Sequence, residues 1–147
     1  MYKRILVATD GSQLSKKAVK TAIALAESLG ASLVALNVVP RYPMSYFEGG
    51  ITISPRDVGR IEKEWADRSQ AIADAVQKSA EAVGVKAKAV IAKSDLVATS
   101  VLAVAKKNKC DLIVMASHGR KGLSRILLGS ETQQVLTHST VPVLVLR

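Results

Sequence analysis

Short apolar runs and amphipathic stretches alternate along the whole chain. Ile5-Leu6-Val7-Ala8, Leu33-Val34-Ala35-Leu36, Val85 to Ile91, Leu112-Ile113-Val114-Met115 and Val141 to Leu146 are mostly β-branched or leucine-rich. Runs of that length and composition predict five strands of a sheet covered on both faces. Between them the apolar positions recur at helical spacing: Leu14, Ala18 and Ala22 with Val19, Ile23 and Ala26, then Val58, Ile61, Trp65, Ile72, Val76, Ser79 and Val83, then Val97, Val101, Leu102 and Ala105. A last helix is predicted from about Ser130 to His138. Gly30 and Gly84 stand where two helices should stop, and Ser54-Pro55 supplies an N-cap followed by proline at the first helical position. Strands separated by helices imply parallel pairing through right-handed crossovers, hence a doubly wound α/β domain.

The 147 residues suit one domain spanning 1–147, long enough to hide ~70% of its unfolded surface. At 48% hydrophobic and 22% charged, the chain reads as folded and not as disordered. No apolar run approaches the ~18 residues of a membrane-spanning helix. The start Met1-Tyr2-Lys3-Arg4 enters a short apolar stretch that Asp10 breaks, which does not resemble a secretory leader. Cys110 is the single cysteine, so no internal disulfide and no cysteine metal site can form, and a reducing cytoplasm is the expected location. With Lys109 and Asp111 beside it and an apolar run after it, Cys110 reads as a small buried hydrophobe.

Twenty-one Lys and Arg against twelve Asp and Glu give a net charge of +9, which suits a polyanionic or phosphorylated partner. Lys16, Lys17 and Lys20, and again Lys106, Lys107 and Lys109, fall on helix faces where cations commonly serve only as solvated surface. Aromatics make up only 3%, leaving few platforms for stacked bases and weighing against single-strand nucleic-acid binding. Pro40 to Ile53 is the one long irregular stretch. Its Tyr42, Tyr46 and Phe47 make it either a candidate lid or a surface loop covering part of the core.

Ligands of open parallel sheets bind beyond the carboxyl ends of the strands, where strand order reverses. The first strand runs into Thr9-Asp10-Gly11-Ser12, which puts the Asp10 carboxylate at that edge, either facing a ligand or serving as a helix-start charge. The fourth runs into Ala116-Ser117-His118-Gly119-Arg120-Lys121-Gly122, and Gly129-Ser130-Glu131-Thr132-Gln133 follows after a short gap. Gly119 and Gly122 let backbone amides approach a ligand, and Arg120, Lys121 and Arg125 add positive charge, so phosphate is the natural guest. The same glycine spacing also suits a plain tight turn. Ser130 and Gln133 read as a capping box opening a helix whose free N–H groups favour an anion. The G-x-x-x-x-G-K-S/T loop is absent and no G-x-G-x-x-G follows the first strand, which disfavours P-loop ATPases and dinucleotide dehydrogenases.

These residues resemble a known family. The single-domain, nucleotide-binding universal stress proteins carry G-x2-G-x9-G-S/T after the fourth strand, and here Ala116, Gly119, Gly129 and Ser130 hold those positions with the nine-residue gap intact. Ile5 to Ser12, Asn37-Val38-Val39 and the closing Pro142 to Leu146 also resemble the family. The resemblance implies an open five-stranded parallel sheet of order 3-2-1-4-5 with helices on both faces, a Rossmann-like fold of the adenine nucleotide alpha hydrolase type. It further implies a site for ATP with magnesium at the switch point between strands one and four. Ala8, Asp10 and Val38 would border adenine and ribose; Ala116, Ser117, His118 and Gly119 the ribose and phosphates; Gly129, Ser130, Glu131 and Thr132 the outer phosphates. Gly122 belongs to the same glycine loop. His118 could touch phosphate or shape the loop through a hydrogen bond.

Two positions depart from the family pattern. Alanine at 116 adds a methyl where the signature has glycine, and Glu131 stands where relatives often carry a small apolar residue. A carboxylate there would repel a triphosphate unless it points to solvent or to the metal. Nothing supplies a positioned base, a P-loop lysine or a cluster of metal carboxylates, so the expectation is binding with at most slow ATPase activity. The apolar last strand lies at a sheet edge in that order, and the family's habit implies a two-fold homodimer through Val141 to Leu146. A nucleotide-independent dimer and a basic RNA-binding protein are the alternatives.

Overall fold

The computed structural model describes residues 1–41, 54–119 and 128–147. Its elements run β1 (Arg4–Ala8), α1 (Gln13–Leu29), β2 (Ser32–Val39), α2 (Pro55–Glu81), β3 (Ala87–Lys93), α3 (Val97–Lys107), β4 (Leu112–Ala116), α4 (Ser130–His138) and β5 (Val143–Leu146). All neighbouring strands pair in parallel, in the order β3-β2-β1-β4-β5. This is the α/β architecture and the strand order expected. The candidate lid from Pro40 to Ile53, with Tyr42, Tyr46 and Phe47, lies outside the described residues but for its first two positions.

Alternation along each strand divides the core into two layers. Ile5, Val7, Leu33, Ala35, Leu112 and Val114 face the side covered by α1 and α2, where they meet Ala18, Ala22, Ala26, Val76 and Ala80. Leu6, Val34, Leu36, Ile113 and Met115 face the other side and meet Val101, Ala105 and Val135 of α3 and α4. The inner strands β1, β2 and β4, buried on both faces, are therefore nearly continuous apolar runs, whereas the edge strand β3 carries the exposed Lys88. Ala18, Ala22 and Ala26 recur every four residues and are fully buried, forming the small-residue face of α1 that rests on the sheet.

The helix ends follow local chemistry. Gly30 takes φ +63°, and its N–H together with that of Ala31 returns to the carbonyl of Ala26, closing α1 in a left-handed cap. Ser54 caps α2 by accepting the Asp57 N–H at 3.2 Å, with Pro55 at the first helical position. Two strand boundaries differ from expectation. β3 starts at Ala87 and not at Val85, because Val85 is still engaged in the end of α2, its N–H bonded to the Ala80 carbonyl. β5 starts at Val143 and not at Val141, because Val141 turns back on Ser139, whose hydroxyl bonds both its carbonyl (2.7 Å) and its N–H (3.2 Å). β5 remains the sheet edge. Among the described residues no helix is long and apolar enough to cross a membrane.

Candidate functional site

Chain order sends β1 to β2 on one side and β4 to β5 on the other, so a crevice opens between the carboxyl ends of β1 and β4. A cavity of about 480 Å³ lies there, within the usual range of small-molecule sites. Its apolar walls are Ala8, Leu36 and Val38 from β1 and β2, Val97 and Val101 from α3, and Met115 and Ala116 from β4. Its polar groups come from Thr9, Asp10 and Ser15 on one side and from His118, Gly119 and the first turn of α4 on the other.

Asp10 is half-buried at the mouth of β1, and its Oδ1 accepts the Ser12 N–H at 2.9 Å, while Ser12 caps α1 by accepting the N–H of Ser15. Behind it lies a buried polar chain. Ser69 of α2 donates to Asn37 Oδ1, Asn37 Nδ2 donates to the Thr9 carbonyl at 2.7 Å, and the Thr9 hydroxyl meets the Ser15 hydroxyl at 3.1 Å and accepts the Gly11 N–H at 3.2 Å. Four side chains from three elements and one loop thus fix the turn that presents Asp10, and each satisfies its buried partners.

The other wall is a joint between β4 and α4. The Thr132 hydroxyl lies 3.0 Å from the Ala116 carbonyl and 3.2 Å from that of Ser117, which also accepts the Gly129 N–H at 2.8 Å. Gly129 is the N-cap of α4 and, being glycine, brings no side-chain cap of its own. The expected capping box therefore does not form: Ser130 is already the first helical residue, and the Gln133 amide reaches forward of it to the Leu128 carbonyl at 3.0 Å. What remains is a helix N-terminus at the cavity wall, whose backbone N–H groups and dipole favour an anion.

Ala8, Asp10, Val38, Ala116, His118, Gly119, Gly129, Ser130, Glu131 and Thr132 all line the one cavity. Ser117 is buried behind the lining, its hydroxyl bonded to His118 Nδ1 at 2.9 Å, so His118 takes the loop-shaping contact. Thr132 presents its hydroxyl to β4 and not to the cavity centre. Glu131 points neither to solvent alone nor away: its Oε2 accepts the Ala98 N–H at the start of α3, at 2.9 Å. Gly122, with Arg120, Lys121 and Arg125, lies outside the described residues. Thr9, Ser15, Leu36, Val97, Val101 and Met115 also line the cavity and were not anticipated as site residues. Val97 and Val101 show only core periodicity in sequence; the signal for them is that α3 starts just after β3, at the carboxyl edge of the sheet.

Cys110, away from this cavity, is buried, and desolvation pushes its thiol up to about 11 even though Arg4 and Lys88 pull it down. It carries no reactive thiolate near neutral pH. Among the described residues no group of three or more His, Cys, Asp or Glu side chains could hold a metal ion.

The sequence profile of the universal stress protein family matches residues 1–147. A universal stress protein of Methanocaldococcus jannaschii is 36% identical over 149 residues, covering all of this chain and 83% of its own length. The solved structure of another universal stress protein of that archaeon is 31% identical with a TM-score of 0.75, covering 99% of this chain and 96% of that one. A universal stress protein of Archaeoglobus fulgidus, solved in complex with dAMP, shares the fold at 18% identity and a TM-score of 0.66, covering 99% of this chain and 98% of its own. A whole-chain profile match, a close full-length relative and the 3-2-1-4-5 sheet agree, and the chain belongs to the universal stress protein family.

Proposed function

We propose that this protein is an adenine-nucleotide-binding stress-response or signalling module, acting as one unit over residues 1–147 and taking ATP with magnesium at the switch point of its sheet. The observation that carries the reading is the cavity itself. Apolar walls suited to a flat base meet a carboxylate at one end and the glycine-led N-terminus of α4 at the other. In this reading Ala8 and Val38 border adenine and Asp10 the ribose. The Ala116 to Gly119 backbone follows the ribose and first phosphate, and Gly129 to Glu131 face the outer phosphates. Thr132 supports that end by holding α4 to β4. The donor set fits a metal that arrives with the phosphates and not one held by the protein alone, since among the described residues only Asp10 and Glu131 bring carboxylates to the cavity. In this reading the protein binds the nucleotide and hydrolyses it at most slowly.

Calorimetric titration of nucleotide-stripped protein with ATP and magnesium tests the reading. Saturable heat that weakens in Gly129→Val is the expected result. Folded, empty protein that gives no heat overturns it.

The open edge at β5 supports a two-fold homodimer. Val143 packs against the α3 and α4 layer, whereas Leu144 is 37% exposed, so Leu144 is the position where a charge disturbs the edge and spares the core. Light scattering of Leu144→Glu is expected to report a monomer; an unchanged dimer would remove this edge as the interface.

A further inference from the structure

Two helix N-termini converge on the cavity, those of α3 and α4. They differ in what meets them. The N-cap of α3, Leu96, supplies no side-chain cap, and the carboxylate of Glu131 crosses from the first turn of α4 to accept the Ala98 N–H at 2.9 Å. The protein has thus already supplied an anion to one of the two ends, and that anion belongs to the first turn of the other. Two helix dipoles stabilise one carboxylate well. Each further negative charge brought to the α4 end meets a carboxylate already held in place, and the repulsion grows with the number of charges.

Resting on the nucleotide-site reading above, we propose that Glu131 selects the ligand by the charge of its phosphate tail. The site takes a nucleoside monophosphate in preference to the metal-free triphosphate, and a divalent cation on the triphosphate removes the difference by cancelling tail charge. Glu131 is in this account a specificity-determining residue. A residue kept only to cap α3 would affect stability and leave the ranking of ligands unchanged.

Glu131→Gln separates the two roles, because the amide oxygen still accepts the Ala98 N–H while the charge is gone. Nucleotide-stripped wild type and variant are titrated calorimetrically with AMP and ATP, first with EDTA and then with excess magnesium. In EDTA the substitution is expected to tighten ATP about fivefold more than AMP at low ionic strength, an advantage that shrinks as salt is raised. In magnesium the two proteins should rank the ligands alike. Glu131→Val, which loses charge and cap together, should show the same shift in ranking with a lower melting temperature. An AMP-to-ATP affinity ratio in EDTA that is equal in wild type and Glu131→Gln overturns this inference and leaves the nucleotide site standing. Failure of both folded proteins to bind either nucleotide overturns the site reading and this inference with it.

Discussion

Asp10 and Gly119 meet across the switch point: a Cβ built on Gly119 would lie 3.1 Å from Asp10 Oδ2. The two residues belong to different halves of the sheet and are far apart in sequence, so the contact exists only because β1 and β4 are neighbours. It also explains why a side chain at 119 is a problem for the cavity and not for the fold. The atom it would displace is the end of a carboxylate, held on its other oxygen by the Ser12 N–H.

Gly119→Ala should therefore move Asp10 while leaving the core intact. Nucleotide affinity is expected to fall about three- to tenfold by calorimetry, with a melting temperature within ~2 °C of wild type, because no buried apolar contact is lost. Gly119→Asp places a second carboxylate against Asp10 and should abolish saturable binding. Unchanged affinity in both variants would detach Asp10 from ligand recognition.

Gly129 fails differently. A Cβ there would come within 3.1 Å of the Ser117 carbonyl oxygen, a backbone atom that cannot swing aside, and would touch the His118 Cα at an ordinary 3.6 Å. Gly129→Val should lower stability by about 1–3 kcal/mol, as overpacking does, and weaken binding as well. Denaturant unfolding read by circular dichroism checks it; wild-type stability would mean that the β4 to α4 joint yields freely.

The Ser69, Asn37 and Thr9 chain lends itself to a double-mutant cycle. Asn37→Ala strands the Ser69 hydroxyl and removes the amide donor to the Thr9 carbonyl in a buried setting. The expected cost is about 1–3 kcal/mol. Adding Ser69→Ala should cost little more, since the partner is already gone. Fully additive losses in chemical denaturation would show that the two side chains act independently.

Asp111 gives the fold an acid-sensitive clamp at the other end of the sheet. Desolvation pushes its carboxyl up, but the backbone N–H groups of Lys3 (2.8 Å) and Arg4 (3.0 Å) outweigh that and leave it below its usual range. A carboxyl lowered in the folded state stabilises above its unfolded value, ~3.9, and loses that contribution as pH falls through the folded value. Asp111→Asn should lower the melting temperature by a constant amount from about pH 5 to 8, and the gap to wild type should narrow below about pH 4. A gap that widens on acidification would contradict the sign.

Both the sheet and most of the cavity lining were legible in the sequence, for one reason. A doubly covered parallel strand is a nearly continuous apolar run, and its end is marked where a charged or glycine-rich turn begins, as at Asp10 and Gly119. The boundaries that shifted did so through contacts invisible to periodicity: Ser139 folding onto Val141 and the α2 terminus retaining Val85. Ser130 with Gln133 fitted a capping box in sequence, yet Gly129 takes the cap because its N–H is tied to Ser117. The orientation of Glu131 depends on where α3 starts in space, which no local pattern encodes. The same holds for Val97 and Val101, whose spacing is that of any core helix.

The Gly129 N–H bond to the Ser117 carbonyl brings the chain back to nearly the point from which it left β4. That bond ties the end of β4 directly to the start of α4, so neither element registers how many residues lie between them. A nine-residue interval from Gly119 to Gly129 is then not a length that the architecture measures. If shortening or lengthening that interval leaves the melting temperature unchanged but alters what the cavity holds, the ruler is the guest and not the scaffold.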